Sequence, residues 1–226
     1  VVVRDDNDCM FTQILEVREL ELALDPMVQT ITQPSCFGFS DGAIEIVINN
    51  GLPPYMYDFN QGAGFGNANT LTNIPSGTYI VDVLDANLCA GFFELIVNDH
   101  PPLTLDLETQ NVSCFGESDA SINAVVGGGF GDYSYAWNNG ITTALNDQIV
   151  AGNYSVTVLD ENDCEIIDAV TITEPPFLTL DLIEVVDNIC FGESNGSIAV
   201  AGIGGTPPFE YSIDGLNFQV DSVLTD

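Results

Sequence analysis

The sequence predicts an all-β fold: a tandem array of small two-sheet sandwiches set end to end. Three observations predict it. One motif returns at a fixed period, apolar residues alternate along strand-length segments, and Gly, Pro or Asn turns fall about every 8 to 12 residues with no credible helical pattern between them.

The repeat comes first, because it sets the boundaries. Ser35-Cys36-Phe37-Gly38-Phe39-Ser40-Asp41-Gly42 returns as Ser113-Cys114-Phe115-Gly116-Glu117-Ser118-Asp119-Ala120 and as Ile189-Cys190-Phe191-Gly192-Glu193-Ser194-Asn195-Gly196, 78 and then 76 residues on. A second landmark keeps step: Asp5-Asp6-Asn7-Asp8-Cys9, Asp85-Ala86-Asn87-Leu88-Cys89 and Asp160-Glu161-Asn162-Asp163-Cys164. They divide the chain into a C-terminal fragment of a preceding repeat (1–25), two complete repeats (26–102 and 103–176) and the N-terminal part of a further one (177–226). Val1 to Cys9 lack a basic segment followed by an apolar one, so they read as the tail of a repeat in a longer protein and not as a leader.

Within each repeat the strands follow in order. Ile44, Ile46 and Ile48 point one way, as do Ile122, Ala124 and Val126, which marks half-buried strands. A Gly/Pro turn comes next (Gly51-Leu52-Pro53-Pro54, Gly127-Gly128-Gly129, Gly204-Gly205-Thr206-Pro207-Pro208). It leads into alternating aromatics: Tyr55, Tyr57 and Phe59, then Tyr133, Tyr135 and Trp137, then Phe209, Tyr211 and Ile213. A central strand follows, with inward residues Tyr79, Val81 and Val83 or Tyr154, Val156 and Val158. Tyr79 and Tyr154 occupy the place of a tyrosine corner, and Tyr57, Tyr135, Trp137 and Tyr211 are expected in the core. Together these features indicate sandwiches of the immunoglobulin or PKD-like kind.

A sandwich of about 75 residues buries too little surface to be robust by area alone, so a staple is expected. Six cysteines, Cys9, Cys36, Cys89, Cys114, Cys164 and Cys190, occur two per repeat and suit structural disulfides in an oxidising compartment. With Cys36 in the first hairpin's turn and Cys89 in the last, the two lie at opposite ends of a sandwich, roughly 23 Å apart by strand rise. A disulfide needs Cα atoms within about 7 Å. Cys36 to Cys164, between successive repeats, is therefore the preferred pairing. The similar spacing of Cys36 to Cys89 and Cys114 to Cys164, 53 and 50 residues, keeps pairing within a repeat as the alternative.

Charge excludes whole classes of function. Lys and Arg number 2 against 34 Asp and Glu, and both cations, Arg4 and Arg18, lie near the start. Nucleic acid is excluded as a partner, because phosphate binding requires Lys and Arg. The 46% hydrophobic content argues against disorder, and no apolar window is long enough for a membrane span. No cofactor is required. Calcium is the one candidate ion, with Asp85 and Asn87, or Asp160, Asn162 and Asp163, as oxygen ligands and Asp99 or Glu174 as a further acid. The bland reading of the same residues is an Asx-rich turn that caps its own backbone.

No catalytic constellation stands out, and the chain is not expected to be an enzyme. The single histidine, His100, precedes Pro101-Pro102 in a linker. No carboxylate pair is singled out by an apolar cleft that would split its pKa values. The glycine runs precede no helix, which removes a phosphate cradle. Trp137 could offer a sugar platform, but its alternation with Tyr133 and Tyr135 places it in the core. Phe37, Phe115 and Phe191 are expected as plugs beneath their turns.

Cys-Phe-Gly-x-Ser-Asp/Asn-Gly, Gly-x-Pro-Pro-Tyr/Phe-x-Tyr, Gly-x-Tyr-x-Val and Asp-x-Asn-x-Cys, taken together, resemble the SprB-type repeats of gliding-motility adhesins in Bacteroidota, over essentially the whole chain. Departures are small: Ala120 replaces a turn glycine, Gly-Gly-Phe-Gly-Asp stands in repeat two where Pro-Pro is usual, and Phe39 replaces the acid found as Glu117 and Glu193. The resemblance implies a filamentous extracellular adhesin carried on the cell surface, exported by the type IX route, with no catalytic residues. Its partners would be neighbouring repeats of the same chain and an unidentified extracellular ligand such as a surface polysaccharide. A calcium-dependent carbohydrate-binding array and a spacer in a large secreted enzyme are the alternatives. Each repeat would advance the array by roughly 35 to 40 Å, with Pro101-Pro102 and Pro175-Pro176 stiffening the joints.

Overall fold

The computed structural model describes residues 1–14 and 24–225, without the side chains of residues 26–28. Arg18 and most of the second half of the 1–25 fragment lie outside the described residues. Among those described there is no helix, and none therefore is long and apolar enough to cross a membrane. The chain divides into two units, Val1–Asp99 and His100–Asp226.

The first unit opens with a short exposed hairpin, β1 (Val2–Arg4) and β2 (Met10–Thr12). The complete repeat that follows contains β3 (Pro26–Thr32), β4 (Gly42–Ile48), β5 (Met56–Asp58), β6 (Thr70–Ile74), β7 (Gly77–Leu84) and β8 (Ala90–Val97). They form two antiparallel sheets, β3-β4-β6 and β5-β7-β8. Alternation places Ile44, Ile46 and Ile48 of β4 in one core with Tyr79, Val81 and Val83 of β7 and Leu95 and Val97 of β8. Leu24 also packs into this core, at 3% exposure.

The second unit repeats the plan with β9 (Thr104–Gln110), β10 (Ala120–Gly127), β11 (Ser134–Trp137), β12 (Leu145–Ile149), β13 (Gly152–Leu159) and β14 (Glu165–Ile172). Its sheets are β12-β10-β9 and β11-β13-β14, around Ile122, Ala124, Trp137, Val156, Val158 and Ile172. A third sheet, β15-β16-β17, is built from β15 (Thr179–Val186), β16 (Ser197–Ile203) and β17 (Val223–Thr225). All eight residues of β15 are exposed.

Each complete repeat is an all-β sandwich, as the alternation predicts. Burying one of these Ile or Val side chains contributes about 1.5–3 kcal/mol, and only about a dozen residues form each core. Side-chain hydrogen bonds to loops therefore matter here. Tyr79 donates its hydroxyl to the Pro75 carbonyl (2.8 Å) and Tyr154 to the Val150 carbonyl (3.0 Å). Both are tyrosine corners closing the turn four residues upstream.

Candidate functional site

The side chains that recur in register gather at the two ends of each sandwich, not on its faces. At one end lies the Asp-x-Asn-x-Cys hairpin turn. Asp85, 2% exposed, accepts from the backbone N–H groups of Asn87 (2.8 Å) and Cys89 (2.9 Å) with one carboxylate oxygen, and from Leu52 N–H (3.0 Å) with the other. Asp160 repeats the arrangement with Asn162 (2.8 Å), Cys164 (3.0 Å) and Phe130 (2.9 Å). Each aspartate thus clamps its own turn to the glycine turn beside it. The Cys89 amide foremost, aided by those of Leu52 and Asn87, holds the Asp85 carboxyl below the usual carboxylate range against the opposing effect of burial. In the N-terminal hairpin Asp5 accepts from Asn7 and Cys9 in the same way (both 2.9 Å).

Of the oxygens offered to calcium by the sequence, the carboxylates of Asp85 and Asp160 thus accept from backbone amides. Asn87 and Asn162 contribute backbone N–H donors, and Asp163 donates its own N–H to the Asp160 carbonyl (3.1 Å). Among the described residues no group of three or more His, Cys, Asp or Glu could hold a metal ion.

The Cys-Phe-Gly turn lies at the other end. In repeat one, Ser35 donates its hydroxyl (2.6 Å) and its N–H (2.9 Å) to Asp41, and the hydroxyl is the main reason the Asp41 carboxyl is held low. Ser113 does the same for Asp119, and in the third copy Ile189 N–H bonds the Asn195 side chain (3.0 Å). Gly38, Gly116 and Gly192 adopt φ of 76°, 80° and 89°, a region that favours glycine. The exposed amide in the turn then captures an acid from the departing linker. Gly38 N–H donates to Asp99 (3.0 Å), which also accepts from the Ser76 hydroxyl (3.2 Å), and Gly116 N–H donates to Glu174 (2.7 Å).

The linkers dock the same way at their far side. Gly129 N–H donates to the Pro101 carbonyl (2.9 Å) and Gly205 N–H to the Pro176 carbonyl (2.7 Å). Gly128 and Gly204, with φ of 75° and 80°, sit so close that a Cβ would collide with the carbonyl oxygens of Pro102 and Phe177. His100 stacks at a tilt on Phe130, with ring centroids 5.1 Å apart. Phe115 meets Phe177 edge to face at 5.5 Å, so a Cys-Phe-Gly turn touches the first residue after Pro175-Pro176.

That contact corrects one expectation. Phe37, Phe115 and Phe191 are not plugs beneath their turns, since they are 56%, 52% and 109% exposed. The rings stay at the surface of the turn, and in repeat one the buried residue of the motif is Cys36. Trp137 is buried and donates its indole N–H to the Thr143 carbonyl (2.9 Å). Tyr57, Tyr79 and Tyr154 are buried, while Tyr135 and Tyr211 are half-buried. Burial raises the hydroxyl pKa values of Tyr57, Tyr79 and Tyr135, which keeps them neutral.

Cys36 and Cys164 are disulfide-bonded, whereas Cys9, Cys89, Cys114 and Cys190 are exposed thiols. Neither Cys36–Cys89 nor Cys114–Cys164 is formed. Within repeat one, the Cys36 turn is tied to Ser76 and Asp99 just outside one end of β7, and Cys89 follows the other end, about 25 Å away. Repeat two has the same layout, with Gly116 tied to Glu174 and Cys164 past the end of β13.

Sequence reasoning missed two groups. Tyr55 and Tyr133 donate to the Asn50 (3.0 Å) and Gly128 (2.6 Å) carbonyls, bracing the glycine turns. Asn146, fully buried, pairs its amide with Asn139 (3.0 Å). The signal for the second was a polar residue at an inward position between Leu145 and Ile149.

Three solved structures illustrate distant likeness. A C-terminal 282-residue fragment of intimin, in complex with the intimin-binding domain of the translocated intimin receptor, aligns with TM-score 0.38 and 13% identity over 69% of this chain and 66% of that one. The fibronectin(III)-like modules of Clostridium thermocellum CbhA align with TM-score 0.28 and 16% identity over 65% of this chain and 94% of that one. Sidekick-1 immunoglobulin domains 1–5 align with TM-score 0.39 and 12% identity over 81% of this chain and 46% of that one. No curated protein matches. Residues 28–64, 107–142 and 182–218, each running from the first strand of a repeat past its aromatic strand, match the SprB repeat family, so this chain carries three SprB repeats in tandem.

Proposed function

We propose that this chain is a structural segment of a long secreted cell-surface adhesin or filament, serving surface attachment or gliding motility by holding an adhesive element away from the cell. The observation that carries the reading is the recurrence of the same linker anchorage. An acid leaving each complete repeat is caught by its Cys-Phe-Gly turn, through Gly38 to Asp99 and Gly116 to Glu174. The carbonyls that follow are caught by the next glycine turn, through Gly129 to Pro101 and Gly205 to Pro176. Anchorage at both sides of a linker suits a spacer that must transmit force. The conserved chemistry of a catalyst would instead converge on one cleft. The acidic surface suits such a spacer too, because like-charged chains stay soluble and apart.

The test is replacement in the intact protein. Antibody against this segment should label non-permeabilised cells. Deleting the segment should weaken attachment or gliding, and substituting an equal number of unrelated immunoglobulin-like domains should restore it. Labelling only after permeabilisation, or failure of an equally long substitute to restore attachment, would overturn the reading.

A further inference from the structure

We infer that the junction before the first complete repeat carries a self-cleaving bond: in acid, the carboxyl of Asp25 severs that residue's own peptide link to Pro26, with water as the co-reactant. The inference goes beyond the array reading and does not depend on it.

Chemistry singles out the bond. Of the 11 prolines, Pro26 alone follows an aspartate. A proline nitrogen in a peptide is a tertiary amide, which accepts a proton more readily than an ordinary one, and an aspartyl carboxyl reaches its own carbonyl carbon through a five-membered ring. In the register of the repeats Thr104 and Thr179 stand where Asp25 does, opposite Gly127 and Ile203 and each followed by leucine. Their hydroxyls donate to the carbonyls of those partners (3.1 and 3.3 Å), and neither has a carboxyl to attack with.

Geometry supplies the second argument. The Asp25 carbonyl oxygen accepts from the Asn49 N–H (3.1 Å), and the Asp25 N–H donates to the Asn50 side-chain oxygen (2.7 Å). Leu24, 3% exposed, fixes the chain on the other side by packing beside Gly51 and Gly91. The carbonyl to be attacked is thus held with a backbone donor on the oxygen that becomes negative, within the roughly 2.7–3.1 Å that stabilises an oxyanion. Asp25 itself is exposed, so its carboxyl can turn onto the carbonyl carbon and water can reach the bond. Among the described residues, the segments against Leu24 and Asp25 are Asn49 to Gly51 and Gly91, which bear no titratable side chain. The carboxylate beside that turn, Asp85, is engaged with the amides of Leu52, Asn87 and Cys89.

In the first step a carboxyl oxygen of Asp25 bonds to the Asp25 carbonyl carbon, and the carbonyl oxygen takes the negative charge beside the Asn49 N–H. Collapse re-forms the carbonyl and breaks the bond to Pro26, whose nitrogen keeps the electron pair and takes the proton that the carboxyl gave up. The cyclic anhydride left on Asp25 then adds one water and opens to two carboxyls. One peptide bond and one water are consumed, and one carboxyl and one proline amine are formed. Acid speeds the reaction because the leaving nitrogen must be protonated.

The experiment is intact-mass analysis of the 226-residue chain held in mildly acidic buffer made with heavy-oxygen water, folded and in urea at the same pH. Two fragments are expected, 1–25 and 26–226, the longer beginning at Pro26 and the shorter carrying one heavy oxygen. The rate should rise as pH falls, and in the folded chain it should exceed the rate in urea by about tenfold or more, because urea removes the Asn49 donor. Asp25→Asn and Asp25→Glu should stay intact over the same time, with circular dichroism showing that each is folded at that pH, and Pro26→Ala should be cut more slowly. Cleavage no faster in the folded chain than in urea would overturn the inference, as would an uncut chain or a cut at Pro26 that persists in Asp25→Asn. None of these results would disturb the surface-replacement test, so failure of the cleavage and failure of the array reading are distinguishable.

Discussion

Asp160 holds three backbone amides drawn from two loops, and no other side chain supplies those bonds. Asp160→Ala should cost about 2 kcal/mol, because hydrogen bonds to a charged acceptor are worth more than neutral ones and the orphaned donors are part-buried. Chemical denaturation of the chain measures it. Asp85 adds a pH dependence. Its folded carboxyl pKa is depressed, so the stability it contributes is present above the unfolded carboxylate value, near pH 3.9, and is lost as pH falls through the lower folded value. Hydrogen exchange at the Cys89 amide should accelerate, beyond its intrinsic pH dependence, only in that acid window. Each carboxylate already accepts from three backbone amides, so thermal melts in calcium and in a chelator are expected to coincide. At this scale the sequence was half legible. An Asp two residues before an Asn and four before a Cys offers equally well an ion site and a self-capping turn, and the N–H groups donated to Asp85 and Asp160 show the turn. Phe37 and Phe115 were misplaced for a related reason: hydrophobicity argues for burial, but a tight turn with a positive-φ glycine decides where the ring points.

The strands were legible because their evidence is periodic. A period of two along Gly42–Ile48 and Gly152–Leu159 names the buried face residue by residue, and every inward position so named in those two strands is buried. The glycine turns were legible only as turns. Their second task, receiving the linker, depends on a carbonyl arriving from some 26 residues upstream, which no local pattern reports. Gly128→Ala measures that task. A Cβ there meets the Pro102 carbonyl and the backbone φ is 75°, so the substitution should cost about 1–3 kcal/mol through strain and displacement of the linker. Gly116→Ala has open space around its Cβ and bears only the cost of its φ of 80°. Comparing the two variants by denaturation separates crowding from backbone preference, and the Gly128 variant is expected to be the less stable.

For the whole molecule, repetition is what made the architecture readable before any coordinates. Each copy repeats the landmarks of the others, and each complete copy has its own buried cluster. The account's central claim is that the sandwiches of 26–102 and 103–176 are separate folding bodies whose function comes from being strung together. Stretching single chains by their ends under reducing conditions tests it most directly. Two rupture events are predicted, each releasing roughly 220 Å of contour, which is about 75 residues of extended chain less the length of one folded sandwich. One event releasing the extension of both repeats together would contradict the claim.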